Sequence, residues 1–177
     1  MIPNRNLELP ADIIARQMLG AKLHILSPKG EEKSGIITET EAYIGPQDKA
    51  CHAYKGRTKR TEIMFGKPDH WYVYLCYGIH WMLNLVVGEE GYPAAVLIRG
   101  ITPWIGPGRV TKNLGISGDF NGKPLTKKAG MWIKWNEELK TEEIEITPRV
   151  GIDYAGEEWA NAPLRFIHKE LWKDLRK

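Results

Sequence analysis

The sequence predicts one α+β domain, in which a mostly antiparallel, curved sheet is surrounded by helices and carries a protruding β-hairpin. Three observations support this prediction. The chain has 177 residues, 42% of them hydrophobic, which suits a single domain with a sizeable core. Strand-like runs outnumber helical runs and do not alternate with them in a βαβ rhythm. No repeat, low-complexity tract or linker divides residues 1–177.

Periodicity and turn residues define the elements of the first half of the chain. Residues 9–20 carry apolar side chains at helical spacing and end on Gly20, which predicts a short helix. Residues 23–26 and 35–43 are strand-like, and the turn-rich segment between them predicts an antiparallel pair. Residues 71–87 form two strand-like runs around Gly78, which predicts a β-hairpin with this glycine near its tip.

Three further elements are predicted in the second half. Residues 94–98 read as an apolar strand, and residues 143–147 alternate as a strand with one exposed face. Residues 106–115 predict a short helix after a glycine-rich approach, with backbone amides that could face an anion.

Several functional classes lack their sequence signals. The longest aliphatic run, residues 94–98, is far shorter than the roughly 20 residues that cross a bilayer, and residues 1–5 lack the apolar core of a secretion signal. We therefore expect a cytoplasmic protein without a membrane partner. Cys51 and Cys76 are expected to be reduced thiols rather than a disulfide.

Metal and cofactor signals are also missing from the sequence. The five histidines form no HExxH motif and join no close His/Cys set with zinc-ligand spacing. No P-loop, GxGxxG or GxSxG motif is present. We expect no metal site and chemistry without a cofactor.

Positive charge is concentrated in one short segment. The net charge is only +3, but Arg57, Lys59 and Arg60 follow one another closely, whereas five glutamates crowd residues 137–145. Such a basic segment is either a solvated loop or a phosphate-binding site, and the charges alone leave both interpretations open.

Acidic and aromatic residues next to this segment suggest chemistry. In a strand, Glu39, Glu41 and Tyr43 share one face, with neighbouring carboxylates roughly 6.6 Å apart. This pattern fits either a solvated strand face or a hydrolytic site, and His52 follows shortly after. Tyr77, beside Gly78 at the predicted hairpin tip, should project from the body and is suited to wedging into a base stack.

Eight short motifs, in order along nearly the whole chain, point to a known family. They are TETEAYIGPQDKACH (38–52), MF (64–65), YVY through YG (72–78), Asn84, VLIR (96–99), GPG (106–108), RVGI (149–152) and PLRF (163–166). Together they resemble the alkyladenine (3-methyladenine) DNA glycosylase family. Residues 101–105 run directly into Gly106, without the insertion of eukaryotic relatives, so the chain resembles a compact bacterial-type member.

The resemblance implies specific residue roles. Glu41 matches the general base that activates water, and Arg99 matches the arginine that helps to hold this water and the flipped nucleotide. Tyr43, His52 and Tyr74 match pocket walls, Asn84 matches the position that disfavours the guanine 2-amino group, and Tyr77 matches the intercalating tyrosine. Contacts with the DNA backbone are expected from Arg57, Lys59, Arg60 and Arg109. Arg109 stands where eukaryotic relatives have a lysine.

The implied function is that of a monofunctional DNA glycosylase, since no lysine matches a nucleophile position. Such an enzyme flips an alkylated or deaminated purine out of duplex DNA and hydrolyses its N-glycosidic bond during base excision repair. We expect a monomer whose partner is double-stranded DNA with damaged purines. Two alternatives stay open from the residues alone: a non-enzymatic nucleic-acid-binding module, and a glycoside hydrolase that uses Glu39 and Glu41.

Overall fold

In the described part of the chain, nine strands join into one sheet in which every pair of neighbours is antiparallel. This description comes from a computed structural model and covers residues 5–27 and 29–176. The strands are β1 (Lys22–Leu26), β2 (Glu32–Tyr43), β3 (Trp71–Cys76), β4 (His80–Val87), β5 (Ala94–Ile101), β6 (Trp104–Ile105), β7 (Met131–Lys134), β8 (Ile144–Thr147) and β9 (Arg165–His168). Their main path runs β3-β4-β5-β2-β1-β7.

Four α-helices flank the sheet in the described part of the chain. They are α1 (Ala11–Met18), α2 (Pro107–Leu114), α3 (Glu157–Ala160) and α4 (Lys169–Leu175). The predicted α+β architecture, with its antiparallel curved sheet and surrounding helices, is therefore confirmed. The longest of these helices has eight residues, too few to cross a bilayer.

The long strand β2 is the centre of the fold. Its first half pairs with β1, and its second half lies between β5 and β9. The β2–β5 register shifts on both sides of Glu39, and such irregularities bend a strand and strengthen its twist. As a result, Glu39 and Glu41 lie in the interior, with Glu41 opposite Leu97 on β5 and Arg165 on β9.

The two faces of the sheet bury different side chains. Because side chains alternate along a strand, Ala42 and Val96 face the main core, where Ile14 and Met18 of α1 are buried. Their neighbours Tyr43 and Ala95 face a second, smaller apolar cluster with Cys51, Met64 and Tyr72. This smaller cluster is the floor of the candidate site.

The predicted β-hairpin is formed by β3 and β4. Tyr77 and Gly78 both have positive φ, 49° and 70°, as the two central residues of a type I′ turn do, and the Ile79 amide donates to the Cys76 carbonyl at 3.0 Å. The Tyr77 side chain is 92% exposed and that of Ile79 is 71% exposed. The hairpin tip therefore presents apolar groups to solvent, as predicted.

Differences from the predicted elements lie in short segments. Strands β6, β7 and β9 and helices α3 and α4 were not predicted, because two to seven residues are too few for a clear periodicity. The expected one-sided exposure of residues 143–147 is wrong in detail: on the face that was expected to be apolar, Ile144 is buried but Ile146 is exposed. Among the described residues, this strand, β8, pairs only with β9. Cys51 and Cys76 are free thiols.

Candidate active site

A fully buried carboxylate, Glu41, lies at the centre of the site. Its Oε1 accepts a hydrogen bond from the Val150 amide at 2.8 Å, and its Oε2 accepts one from the Tyr43 hydroxyl at 3.0 Å. Arg99 Nε lies 3.4 Å from Oε1. Burial raises the pKa of Glu41, although Arg99 and the two hydrogen bonds oppose this effect. The result is a carboxylate that is a stronger base than an exposed one.

Glu39, two residues earlier, has a different environment. Its Oε1 accepts from Arg99 Nε at 3.0 Å and from Arg165 Nε at 2.6 Å, and Trp172 Nε1 donates to its Oε2 at 3.4 Å. Both glutamates are at most 1% exposed, so the interpretation of this segment as a solvated strand face is wrong. Arg99 therefore lies between two buried carboxylates.

Beside Glu41, an aromatic pocket opens. Four of the residues predicted from the family resemblance line it: Tyr43, His52, Tyr74 and Asn84. The His52 ring meets the Tyr74 ring edge-on at 4.5 Å between centroids, and its Nδ1 is hydrogen-bonded to the Tyr72 hydroxyl at 3.0 Å. The remaining lining residues are Ala50, Cys51, Met64, Tyr72, Ala95 and Tyr154.

The pocket wall is uncharged at neutral pH. Burial, with a smaller contribution from the Arg60 charge, lowers the pKa of His52 to about 4, so its imidazole is neutral. Burial also raises the pKa values of the Tyr43 and Tyr74 hydroxyls, which stay protonated. Neutral aromatic faces suit a flat, electron-poor or cationic ring.

Asn84 is held rigidly in this wall. Its Nδ2 donates to the Tyr72 carbonyl at 3.1 Å and to the Met82 carbonyl at 3.4 Å, and the side chain is buried. Because both contacts are to backbone of the hairpin strands, the amide cannot rotate freely to adapt to a ligand.

A second depression, the cleft, connects the pocket with the hairpin tip. Tyr77, Arg99, Arg60 and Val150 line it, together with Tyr43, His52, Tyr74 and Tyr154, which also line the pocket. Tyr77 stands at the exposed end of the hairpin, whereas Arg99 is largely buried. The cleft thus leads from an exposed aromatic ring to Arg99, which contacts both buried carboxylates.

The four predicted backbone-binding cations are placed unequally. The Arg60 guanidinium lies 4.9 Å from the centre of the Tyr74 ring and lines the cleft, whereas that of Arg57 lies over Phe65. Lys59 and Arg109 are exposed, and like Arg57 they line neither the pocket nor the cleft. The structure brings Arg60 to the site and leaves the other three on the surface around it.

Three groups of the site were not predicted from the sequence: the Tyr72 hydroxyl, the Tyr154 ring and the Val150 amide. Strand alternation places Tyr72 on the same face as Tyr74, so Tyr72 could have been found. No signal identifies the Val150 amide, because every residue except proline has an N–H. Among the described residues, no group of three or more His, Cys, Asp or Glu side chains could hold a metal ion.

Comparison with known proteins identifies the family. A family model described as methylpurine-DNA glycosylase matches residues 5–105 and 104–171. The chain belongs to the methylpurine-DNA glycosylase family. Within this family, the first matched segment contains Glu41, Tyr77 and Arg99, and the second contains Val150 and Arg165.

Individual relatives of this methylpurine-DNA glycosylase match the chain over most of their own length. A Methanocella arvoryzae protein is 39% identical over 96% of this chain and 92% of its own. A Myxococcus xanthus protein is 41% identical over 88% of this chain and 84% of its own. A Legionella pneumophila protein is 38% identical over 96% of this chain and 94% of its own. Each carries the name "Putative 3-methyladenine DNA glycosylase".

Proposed function

We propose that this protein is a monofunctional DNA glycosylase that removes alkylated or deaminated purines from duplex DNA, with Glu41 as the base that activates water. The observation that carries the proposal is the buried, hydrogen-bonded Glu41 carboxylate beside a neutral aromatic pocket. The family membership and the names of the relatives support the same reaction class.

Access of the target base requires that the nucleotide leave the duplex. In this proposal Tyr77, which is exposed on its protruding turn, enters the base stack, and the cleft beside it leads to the pocket. An extruded purine then reaches the ring faces of Tyr43, His52 and Tyr74 while its sugar stays in the cleft near Arg99. The surface cations Arg57, Lys59, Arg60 and Arg109 supply attraction to the phosphates of the double-stranded partner.

Glu41 then acts on water at the anomeric carbon. Its raised pKa makes it a competent proton acceptor, and its negative charge stabilises the oxocarbenium-like transition state. Arg99 contacts Glu39 and Glu41 through Nε and lines the cleft, and in this proposal the rest of its guanidinium helps to hold the water and the nucleotide backbone. The proton goes from water to Glu41, the oxygen bonds to the sugar carbon, and the base leaves with the electron pair of the broken bond.

The pocket contributes selectivity through charge. A cationic alkylpurine gains about 0.5 to 2 kcal/mol from stacking on a tyrosine face, and its charge also makes it a good leaving group. Among the residues that the structure describes, no lysine lines the pocket or the cleft, which supports simple hydrolysis that leaves an abasic site without strand cleavage. Residues 1–177 would then act as one catalytic domain, and we expect a monomer.

Base release from a damaged duplex tests the proposal. Duplexes that carry 3-methyladenine, hypoxanthine or 1,N6-ethenoadenine are incubated with the protein without added metal, and free base is measured under single-turnover conditions. Glu41→Gln should lower the release rate by roughly 10²- to 10⁴-fold, the usual contribution of a general base, and should retain binding of damaged DNA.

Glu145→Gln is the matched control, because it makes the same chemical change at an exposed glutamate of β8. It should behave as the wild type does. Release of no base by the wild type would overturn the proposal, and binding without release would favour a nucleic-acid-binding module. A glycoside hydrolase is disfavoured because Glu39, its second carboxylate, already accepts from Arg99 and Arg165.

A further inference from the structure

We propose that the buried Arg149–Asp48 ion pair is a positioning device for Glu41, and that Arg149 is a positioning residue for base removal. The inference rests on the proposed role of Glu41 as the general base. It concerns two residues that line neither the pocket nor the cleft but hold the groups that surround the carboxylate.

The ion pair is two-pronged and fully enclosed. Arg149 Nη1 donates to Asp48 Oδ2 at 2.6 Å, and Nη2 donates to Asp48 Oδ1 at 2.9 Å, with neither side chain exposed. Nη1 also donates to the Ala42 carbonyl of β2 at 2.9 Å. Paired N–H···O bonds fix both the distance and the plane of a guanidinium, so this arginine is held in one orientation.

Arg149 is adjacent to two of the groups that hold Glu41. The amide of the next residue, Val150, donates to Glu41 Oε1 at 2.8 Å. The Arg149 guanidinium also lies over the Tyr43 ring, 4.7 Å from its centre, and the hydroxyl of this ring donates to Glu41 Oε2. Since Ala42 stands between Glu41 and Tyr43 in the chain, the bond to its carbonyl fixes the backbone of both.

Asp48 extends this arrangement to the aromatic pocket. Its Oδ2 accepts from the Ile44 amide at 3.2 Å and its Oδ1 from the Ala50 amide at 3.0 Å. The segment from Ile44 to Ala50 leads directly into the pocket residues Cys51 and His52. One ion pair therefore joins β2, the segment before the pocket and the segment that carries Val150.

A role in positioning differs measurably from a role in stability alone. Four charged or titratable groups face Glu41: Arg99 from β5, Glu39 and Tyr43 from its own strand, and Arg149. Two of these groups have further ionic partners, since Arg149 pairs with Asp48, and Glu39 pairs with Arg165 from β9. The Val150 hydrogen bond lowers the pKa of Glu41. If Arg149 holds the Val150 amide in place, substitution of Arg149 should weaken this hydrogen bond and raise the pKa of Glu41. The fall in activity at acid pH, the acid limb of the pH profile, should then begin at a higher pH.

The experiment measures single-turnover base release against pH for Arg149→Lys. We expect the plateau rate to fall roughly 10- to 100-fold, the order expected for a small misplacement of a reacting group, and the acid limb to move to higher pH. Affinity for a duplex with a stable abasic-site analogue should be unchanged. Arg5→Lys is the matched control, because it makes the same change in another arginine–carboxylate ion pair, that of Arg5 with Glu138, remote from the site.

Hydrogen exchange of the Val150 amide gives a readout that does not depend on activity. In Arg149→Lys this amide should exchange faster than in the wild type, while strand amides of β4 and β5 should not. Asp48→Asn is the second variant, because asparagine keeps one acceptor but loses the charge, and it should shift both measurements in the same direction.

The outcomes separate the inference from the proposed function. A wild-type rate, acid limb and Val150 exchange in either folded variant would overturn the positioning role, whatever the loss in thermal stability. If the wild type releases no base but the Val150 amide is still freed in the variants, the proposed function is wrong while the structural coupling stands.

Discussion

At the scale of single residues, two glutamates on one strand show how environment separates their roles. Glu39 accepts from two guanidiniums, whereas Glu41 accepts from a neutral amide and a neutral hydroxyl and has Arg99 as a more distant partner. Burial raises the pKa of Glu41, and the Glu39 charge adds to the increase. In the proposed mechanism, Glu39 therefore acts on the general base without touching the substrate.

The substitution Glu39→Gln should shift the pH dependence of base release. It removes a neighbouring negative charge and lets Arg99 move toward Glu41, and both changes lower the pKa of Glu41. Because activity needs the ionised carboxylate, the acid limb should move to lower pH, with a reduced plateau rate because a weaker base accepts the proton less well. The measurement is single-turnover release at a series of pH values from acid to neutral.

Conditions for this comparison must keep the variant folded, since loss of one partner from a buried charge group costs about 3 to 5 kcal/mol. Glu145→Gln again provides the control, because its carboxylate is exposed. An acid limb that stays in place in folded Glu39→Gln would show that Glu39 does not act on Glu41.

At the scale of elements, the β3–β4 hairpin combines an exposed tip with an anchored strand directly behind it. The first residues of β4 are held on α2: the Thr111 hydroxyl donates to the Trp81 carbonyl at 2.9 Å, and a Cβ on Gly108 would lie only 3.0 Å from the His80 ring. The hairpin tip places Tyr77 in a left-handed conformation that glycine adopts more easily. The turn therefore holds an unfavoured residue in order to aim an aromatic ring outwards.

Replacement of Tyr77 by alanine should weaken binding of damaged DNA and slow base release without loss of stability. Insertion of an aromatic ring into a base stack contributes about 1 to 3 kcal/mol, while a side chain that is 92% exposed contributes little to folding. Binding titrations measure the affinity for damaged DNA, single-turnover kinetics measure the rate of base release, and thermal unfolding measures stability. Tyr77→Phe keeps the ring and should remain close to the wild type. Equal binding by Tyr77→Ala would contradict a wedge at this position.

Most elements of this fold were predictable because their patterns are long enough. The helix at α1, the β1–β2 pair, the hairpin, β5 and α2 all lie where periodicity and glycine placement predict them. The elements that were missed are short, and their formation depends on partners distant in sequence: β9, for example, exists because residues 165–168 find β2 and β8. Local pattern contains no information about such partners.

At the scale of the whole molecule, the modest net charge conceals an uneven distribution. Arg57, Lys59 and Arg60 lie on the segment beside the cleft, and Arg109 lies in the first turn of α2, whose Pro107 lines the cleft. The glutamates of residues 137–145 lie on other elements. A duplex at the hairpin tip would therefore meet cations, and its affinity should depend on salt.

Lys59→Gln should reduce this salt dependence. Each phosphate contact contributes about 0.9 to the slope of log affinity against log salt concentration for duplex DNA, so loss of one contact should lower the slope by about that amount. Binding titrations over a range of salt concentrations provide the measurement. Lys173→Gln, an equivalent change on the exposed side of α4, should leave the slope unchanged. Identical slopes for both variants would place the duplex elsewhere.

The sequence by itself determined the α+β class, the main strands and, through its ordered motifs, the family, which the family model confirms. These features depend on local periodicity and on residue identity. Only the tertiary structure decided that Arg99 is shared by two buried glutamates, that the Val150 amide holds Glu41, and that Arg149 joins three segments through Asp48. The physical reason is that hydrogen bonds and burial depend on which distant segments meet, and a backbone amide or a buried charge has no sequence signature of its own until the chain has folded around it.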